Sequence, residues 1–211
     1  MSAVRRATAL LLTGPVPAGA GPPDCAPAGF ARALAEDVAD LLAQLPGLDP
    51  VLAAEPSRLV DAEAVRWPDV PVLTVPAGGG ARALSAVLAE LGRQGYAEAA
   101  VIAPDVPDLP GMLVAKPFSA LTRAQVAAAP AAGGGGLVVL ACRLPVPTWL
   151  ADSAVHLDLP DAVERLGGYA PTPADLALTP GWHRLRTPAD LAYLDPGLEG
   201  WDATRSLLSG C

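Results

Sequence analysis

A chain of 211 residues with 52% hydrophobic but only 4% aromatic residues contains enough apolar material for one large domain with a core of Leu, Val and Ala. Its 14 basic and 22 acidic residues give a net charge of −8, and Lys116 is the one lysine. This balance excludes a broad basic surface for nucleic acid or for an acidic membrane.

Short apolar runs alternate with helical patterns through the first half of the chain. Strands are predicted at 7–12, 51–54, 70–75 and 99–103, and helices at 28–45, 57–66 (with Ser57 as N-cap) and 80–93. Strands that alternate with helices of this length indicate βαβ units, and therefore a mostly parallel α/β sheet with helices on both faces. Ligands of such sheets bind beyond the carboxyl ends of the strands, so the loops after Leu12, Val75 and Ala103 are expected to face the site.

The second half of the chain is less regular. Helical turns are predicted at 117–121 and 158–166, and strands at 126–129 and 137–142, the second of them after the glycine run 133–136. Thr187-Pro188-Ala189-Asp190 combines an N-cap threonine with an acid three positions later, which is typical of a capped helix start. We find no internal repeat and no long linker, so a single domain is predicted, with tails at 1–6 and 197–211.

Three cysteines are widely spaced along the chain. Cys25, Cys142 and Cys211 show neither a metal-knuckle spacing nor a redox-pair spacing. Cys142 lies in an apolar run and is predicted to be a buried thiol, whereas Cys211 is expected to be exposed.

Two carboxylates follow the predicted strand 99–103 directly. Asp105 and Asp108 are three residues apart in Pro104-Asp105-Val106-Pro107-Asp108. Carboxylates at this end of a strand can hold a divalent cation that binds a diphosphate. The alternative is that both side chains cap the turns around the prolines. We expect Asp105 to line the main cleft with its side chain open to solvent.

Taken together, the strand ending in Asp105-x-Pro107, the glycine run and the Thr187-Pro188-x-Asp190-Leu191 segment resemble a small bacterial branch of the GT-A nucleotide-diphospho-sugar transferases. That branch is grouped with arsenosugar-type glycosyltransferases and is similar in layout to phospholactate and molybdenum-cofactor guanylyltransferases. The resemblance extends over most of the chain and is best from Val101 to Leu194. It implies a GT-A-type fold that binds a nucleotide or nucleotide-sugar.

The resemblance also implies roles for individual residues. Asp105 matches the metal-binding aspartate of the family. The residues that match its nucleotide-binding segments are Thr13, Gly14, Gly80 and Arg82. The residues expected on the acceptor side are Gly134, Gly135, His183 and Arg184. Of the two histidines, His183 is favoured for a functional role and His156 is interpreted as structural.

Several family residues are replaced in this chain. The basic run of the first loop (Lys-Thr-Arg-Leu in the family) is replaced by residues 18–23, which contain no basic side chain. Gly134 stands in place of the aspartate of an Asp-Gly-Gly motif, and Arg186 in place of the second metal-binding aspartate. The metal site is therefore predicted to be degraded. Either catalysis is independent of metal, with Asp105 and Arg186 as the catalytic residues, or it has been lost.

The leading hypothesis is a glycosyltransferase-like domain whose partners are a nucleotide or nucleotide-sugar and a small-molecule acceptor. A nucleotidyltransferase and a catalytically inactive binding or scaffold protein are the alternatives. Mg²⁺ or Mn²⁺ would be held by Asp105 and Asp108 if a metal is bound, although the absence of a metal is favoured. The apolar run near the N-terminus is too short for a membrane span or for a typical export signal, so a cytoplasmic location is expected.

Overall fold

A seven-stranded sheet forms the centre of the computed structural model, which describes residues 4–15 and 21–211. In chain order the strands are β1 (Arg6–Leu12), β2 (Asp49–Ala54), β3 (Val72–Thr74), β4 (Glu98–Ile102), β5 (Val126–Pro130), β6 (Leu137–Arg143) and β7 (Leu176–Leu178). They lie side by side in the order β3-β2-β1-β4-β6-β5-β7. Neighbouring strands run parallel except β6, which is antiparallel to both β4 and β5. The prediction of a mostly parallel α/β sheet is therefore confirmed.

Seven α-helices accompany the sheet in the described part of the chain. They are α1 (Pro27–Gln44), α2 (Leu59–Val65), α3 (Gly80–Arg93), α4 (Gly111–Ala120), α5 (Thr148–Asp152), α6 (Ala162–Tyr169) and α7 (Asp202–Gly210). None of these helices is long and apolar enough to cross a membrane. A 3₁₀ helix, Pro188–Tyr193, follows the capping threonine Thr187 as the sequence predicts.

The core has one layer on each face of the sheet, because successive side chains of a strand point to opposite faces. On β1, Leu10 packs with residues of α1, α2 and α4, whereas Leu11 packs with residues of α3, α5 and α6. Leu10, Val101 and Leu140 lie on the adjacent strands β1, β4 and β6, and all three are completely buried. Their placement on neighbouring buried strands agrees with the sequence-based expectation.

Some element predictions were wrong. Ser57 caps no helix, since it lies inside a short 3₁₀ turn, Pro56–Arg58. The turn predicted at 117–121 belongs to α4, which begins at Gly111 and contains Pro117. The helix predicted at 158–166 begins at Ala162. Neither α5 nor β7 was predicted, because a strand or helix of so few residues has too little periodicity to detect.

The two tails predicted from the sequence are also shorter than expected. Strand β1 already begins at Arg6, inside the tail 1–6, and the tail 197–211 contains α7. This last helix packs against α1, and a disulfide joins Cys211 to Cys25 just before α1. Such a pair is invisible in the sequence because 186 residues separate its members. The remaining cysteine, Cys142, is buried as predicted, and burial raises the pKa of its thiol to about 12.

Asp37 of α1 holds the start of α7. Its two carboxylate oxygens accept hydrogen bonds from the backbone amides of Ala203 (2.8 Å) and Thr204 (2.9 Å). Burial raises the pKa of Asp37 to about 6, although the bonds from Thr204 and Ala203 lower it in part. This carboxyl is therefore the group whose titration should couple pH to the packing of α7.

We expect Asp37 to make the protein less stable as the pH rises from 5 to 7. A carboxyl whose pKa is raised from about 3.9 in the unfolded chain to about 6 contributes stability below the lower value, and this contribution is lost as the pH passes the higher one. The full contribution is on the order of 2–3 kcal/mol, of which roughly 1–1.5 kcal/mol remains at pH 5 and is lost by pH 7. Denaturant unfolding of the wild type and Asp37→Asn at pH 5, 6 and 7 measures it. The stability advantage of the wild type over the variant should shrink with pH, while exposed Asp24→Asn shows no such trend. A constant advantage would contradict the assignment.

Candidate functional site

A cavity of about 940 Å³ opens at the carboxyl ends of β1, β2 and β4. One wall is apolar and is formed by Phe30, Ala31 and Leu34 of α1 together with Leu185. The loops that follow the three strands supply most of the polar groups. The polar and glycine residues of the lining are Thr13, Gly14, Glu55, Ser57, Arg58, Gly78, Gly79, Gly80, Asp105, His156, Asp158, Arg184 and Arg186. The cavity thus lies where this type of sheet binds its ligands.

Four charged side chains form a cluster at one end of the cavity. This cluster, called the Arg–Asp cluster below, consists of Asp105, Asp158, Arg184 and Arg186. Asp105 accepts two hydrogen bonds from Arg184, one from Nε to Oδ1 (2.6 Å) and one from Nη2 to Oδ2 (2.9 Å). Asp158 accepts from both arginines, at 2.8 and 2.7 Å. Two positive and two negative charges make the cluster neutral.

Arg184 has no N–H group left for a ligand. Besides its bonds to the two aspartates, its Nη1 donates to the backbone carbonyls of Leu137 (3.0 Å) and Leu157 (2.9 Å). All five N–H donors of a guanidinium are therefore used. Burial lowers the pKa of Arg184, but the carboxylates of Asp105 and Asp158 outweigh burial and raise it. This residue is built to hold the site together.

Arg186 is more open than Arg184, and two of its N–H donors have no partner in the part of the chain that the structure describes. Its Nε lies 3.4 Å from Asp105 Oδ2, Nη2 donates to Asp158, and Nη1 donates to the carbonyl of Gly135. About a third of its side chain (32%) is exposed. Three bonds leave one N–H on each Nη atom, and a guanidinium offers five in all. Arg186 can therefore hold a ligand while it remains paired with the aspartates.

The backbone around Arg186 is fixed by Asp190, which lies in the first turn of the 3₁₀ helix. One carboxylate oxygen of Asp190 accepts from the amides of Arg186 (3.0 Å) and Thr187 (2.8 Å). Partial burial raises the pKa of Asp190, but these bonds outweigh burial and lower it below its usual value. The capping motif recognised in the sequence thus positions a cavity arginine.

The opposite end of the cavity is formed by the loops after β1 and β2 and the start of α3. Glu55 Oε2 accepts from the amide of Gly14 (3.3 Å), and Oε1 accepts from the amide of Gly79. Arg58 Nε donates to Asp61 (2.8 Å), and its Nη1 lies 3.4 Å from the carbonyl of Gly14. The residues Glu55 and Arg58 are both buried, at 4% and 8% exposure.

The structure brings six of the predicted site residues to the cavity. These are Thr13, Gly14, Gly80, Asp105, Arg184 and Arg186. Five others do not line it, namely Arg82, Asp108, Gly134, Gly135 and His183. Gly135 touches the site only through its carbonyl, which accepts from Arg186. Arg82 is exposed on α3. Of the segment 18–23, which lacks the family's basic run, residues 18–20 lie outside the described residues.

Asp108 and His183 pair with each other away from the cavity. Asp108 has a fully buried side chain that accepts from Trp182 Nε1 (3.0 Å), and His183 Nε2 lies 2.8 Å from the same oxygen. The angle of that second contact is too poor for a good hydrogen bond, since the nitrogen has no partner of acceptable geometry. Asp108 therefore neither shares a metal site with Asp105 nor caps the turn around the prolines, since its hydrogen bond comes from Trp182. Asp105 lines the cavity, but its side chain is only 17% exposed because arginines bind both of its oxygens.

Four ionisable residues of the cavity lining were not identified from the sequence as functional: Glu55, Arg58, His156 and Asp158. Glu55 follows β2 directly, so the rule that led to Asp105 could also have found it. Asp158 was assigned to the start of a predicted helix. His156 was interpreted as a structural residue because it lies in an apolar run. In the described part of the chain His156 Nδ1 is buried without a hydrogen-bond partner.

The residues present do not fit a divalent cation. Mg²⁺ and Mn²⁺ need several oxygen ligands, often carboxylates. Both oxygens of Asp105 are engaged by guanidinium groups. Among residues 4–15 and 21–211, no group of three or more His, Cys, Asp or Glu side chains could hold a metal. The chemistry proposed for this site therefore rests on its own side chains.

More than half of the chain matches the model of one protein family. Residues 38–154 match the model of a family described as "Uncharacterized protein conserved in bacteria (DUF2064)". No functionally curated protein matches the chain in sequence.

Among solved structures, the chain is similar to a candidate nucleotide-diphospho-sugar transferase from Desulfovibrio desulfuricans G20, with a TM-score of 0.76, 17% identity and coverage of 99% of this chain and 98% of that one. A synthetase of CMP-2-keto-3-deoxy-manno-octonic acid, solved with CTP, shows a TM-score of 0.58 at 12% identity over 98% and 99% of the chains. The manganese complex of Rv0371C from Mycobacterium tuberculosis H37Rv shows 0.57 at 15% identity over 98% and 100%. At these identities the similarity establishes a fold of the GT-A and nucleotidyltransferase type.

Proposed function

We propose that this chain, which belongs to the DUF2064 family of proteins conserved in bacteria, binds a nucleotide or nucleotide-sugar in its 940 Å³ cavity and acts as a GT-A-type glycosyltransferase. The observation that carries the proposal is the position of Arg186, which lines the cavity beyond the carboxyl ends of the strands. Two of its N–H donors have no partner among residues 4–15 and 21–211. The second substrate is a small-molecule acceptor. The cytoplasmic location expected from the sequence stays a prediction, and the Cys25–Cys211 disulfide argues against it because such bonds are rare in reducing compartments.

The proposed role of Arg186 is to stabilise the diphosphate that leaves. In glycosyl transfer, an acceptor oxygen forms a bond to the anomeric carbon while the bond from that carbon to the diphosphate breaks. The electron pair of the broken bond stays on the diphosphate, whose developing charge must be stabilised. A guanidinium is always charged, and its planar N–H groups match phosphate oxygens. Asp105 and Asp158 keep the guanidinium in place through two of its nitrogens.

His156 is the proposed acceptor of the proton that the attacking hydroxyl loses. It lines the cavity, and in the described part of the chain neither of its ring nitrogens has a hydrogen-bond or ion-pair partner. The carboxylates of Glu55, Asp105 and Asp158 are, by contrast, all bound by N–H donors. A neutral imidazole has one ring nitrogen with a free lone pair, and general base catalysis requires such a proton acceptor.

Two alternatives use the same cavity. A nucleotidyltransferase is favoured by the fold that the chain shares with the synthetase solved with CTP. A binding or scaffold protein without turnover is favoured by the neutral Arg–Asp cluster, which lacks the excess positive charge that most diphosphate sites have. The products distinguish the three functions. A glycosyltransferase transfers the sugar to an acceptor, a nucleotidyltransferase releases pyrophosphate, and a binding protein gives neither product.

We expect nucleoside diphosphates and their sugars to raise the melting temperature of the protein equally with Mg²⁺, with Mn²⁺ and with EDTA. A ligand present at 100 times its dissociation constant adds about 2.7 kcal/mol to the free energy of unfolding. Arg186→Gln should weaken binding roughly tenfold or more, because a charge-assisted hydrogen bond contributes about 1.5–3 kcal/mol. Thermal shift and isothermal titration calorimetry measure both effects.

The control variant is Arg82→Gln, which removes the same charge from an exposed position outside the cavity. It should bind ligand like the wild type. Binding that requires Mg²⁺, or an Arg186→Gln protein with wild-type affinity, would overturn the proposed role of Arg186. A wild-type protein that binds no nucleotide at all would overturn the proposed function.

A further inference from the structure

Glu55 links the loops that form the β1–β3 end of the cavity. It stands directly after β2, and its carboxylate accepts one backbone N–H from Gly14, after β1, and one from Gly79, just before α3. Only 4% of the residue is exposed, yet it lines the cavity. The mechanism proposed above gives this buried carboxylate no task.

The N–H groups that Glu55 binds are of the kind that proteins use for phosphate. Gly78, Gly79 and Gly80 have positive φ angles of 94°, 55° and 59° and lead directly into α3. Successive amides in such a turn, at the start of a helix, form a concave anion site. Here the anion is the protein's own carboxylate. A phosphate at the same place would lose two of its donors and would meet a negative charge at close range.

Arg58 lies at the same end of the cavity as Glu55, and its guanidinium is paired on one side only. Arg58 Nε is paired with Asp61 at 2.8 Å, and Asp61 also accepts from Arg32 at 3.2 Å. The hydrogen bond from Arg58 Nη1 toward the loop goes to the carbonyl of Gly14. Among the described residues Arg58 Nη2 has no hydrogen-bond partner, so this end of the cavity presents the carboxylate acceptors of Glu55 beside donors of Arg58. The other end presents the unused donors of Arg186 beside its paired aspartates.

We propose that Glu55 determines specificity by excluding phosphate from the glycine loops and by accepting hydrogen bonds from a neutral part of the ligand that carries two adjacent donors. Each carboxylate oxygen has a further lone pair for this purpose. The inference rests on the proposed function and divides the cavity between the nucleoside, at Glu55, and the phosphates, at Arg186. Adjacent neutral donors occur in a nucleotide as the 2′,3′-diol of ribose and as the N1–H and amino edge of guanine.

Calorimetric titration of the wild type and Glu55→Gln with GDP, UDP, 2′,3′-dideoxy-GDP and inorganic phosphate tests the proposal. The Gln variant should bind its best diphosphate roughly tenfold or more weakly, because one charged acceptor is lost. If the diol is the donor, 2′,3′-dideoxy-GDP should bind the wild type as weakly as GDP binds the variant. If guanine is the donor, the wild type should prefer GDP to UDP, and the variant should lose this preference.

Inorganic phosphate gives a readout that does not depend on the nucleotide. The wild type should not bind it at the glycine loops. Glu55→Ala, which opens both amides without placing an amide group against them, should gain binding that a thermal shift detects. The Ala variant also keeps the test available if Glu55→Gln fails to fold. The matched control is Glu63→Gln, which removes a charge from an exposed side chain on α2 and should change none of these affinities.

The outcomes separate this inference from the proposed function. Wild-type protein that binds none of the diphosphates would overturn the proposed function and, with it, the division of the cavity. Diphosphates that bind the wild type and Glu55→Gln equally, together with no gain of phosphate binding by Glu55→Ala, would overturn only the role of Glu55.

Discussion

Replacing Arg184 with methionine is expected to lower the free energy of unfolding by about 3–5 kcal/mol, the range measured when one partner of a buried ion pair is removed. Arg184 is 7% exposed and uses every N–H of its guanidinium within the protein. The variant would leave Asp105 with its weaker bond to Arg186 alone, and it would leave the carbonyls of Leu137 and Leu157 without that donor. The loss is large because Asp105 and the two backbone carbonyls are largely shielded from water, although Asp158 is exposed.

Denaturant unfolding of Arg184→Met and of Arg82→Met measures this effect. Arg82 is exposed on α3, so its replacement should change stability by less than about 0.5 kcal/mol. A loss below about 1 kcal/mol for Arg184→Met would show that water enters the cavity freely and satisfies the abandoned groups. The Arg184–Asp105 pair would then have no dominant structural role.

Replacing Gly136 with alanine is expected to cost roughly 3 kcal/mol or more. A Cβ atom at this position would lie 2.1 Å from the carbonyl oxygen of Leu157. This oxygen belongs to the backbone, so no side-chain rotation can relieve the contact. The φ angle of 115° adds strain, since side chains rarely adopt it. Leu157 O also accepts from Leu137 N (2.8 Å) and from Arg184 (2.9 Å). Moving it would therefore disturb both the start of β6 and the Arg–Asp cluster.

Gly134→Ala is the matched control in the same glycine run. It also has a positive φ angle, 90°, but no atom lies within 4 Å of an added Cβ. Only the backbone cost of about 1–2 kcal/mol should appear there. The difference between the two variants in denaturant unfolding isolates the contact with Leu157. Equal losses of stability would mean that the close approach at Gly136 is relieved at little cost.

Hydrophobic periodicity was sufficient to predict the parallel half of the sheet from the sequence. The alternation of short apolar strands with helices carries the information locally, because a buried parallel strand must be apolar along its length and its crossover helix must be amphipathic. The same information placed Asp105 and Thr13 beyond strand ends that lie side by side, and both line the cavity. The capping box at Thr187 was also readable, since its two partners are three residues apart.

Contacts between distant segments were decided only by the tertiary structure. Asp105 and Arg184 are separated by 79 positions in the sequence, and Glu55 and Gly14 are separated by 41 positions. The two cysteines of the disulfide, Cys25 and Cys211, are separated by 186 positions. Nothing local in the sequence indicates these partners. The antiparallel direction of β6 was equally hidden, because an apolar run of seven residues has the same pattern in either direction.

One physical reason therefore separates the residues that the sequence identified from the contact partners that it did not. Side-chain periodicity and capping depend on neighbours within a few positions, so the 211 residues by themselves determined the layered α/β fold and the edge of the sheet that carries the site. Whether Asp105 meets a cation or a guanidinium, and whether a glycine loop receives a phosphate or Glu55, depends on which distant side chain fills the space beside it. Only the folded chain determines that.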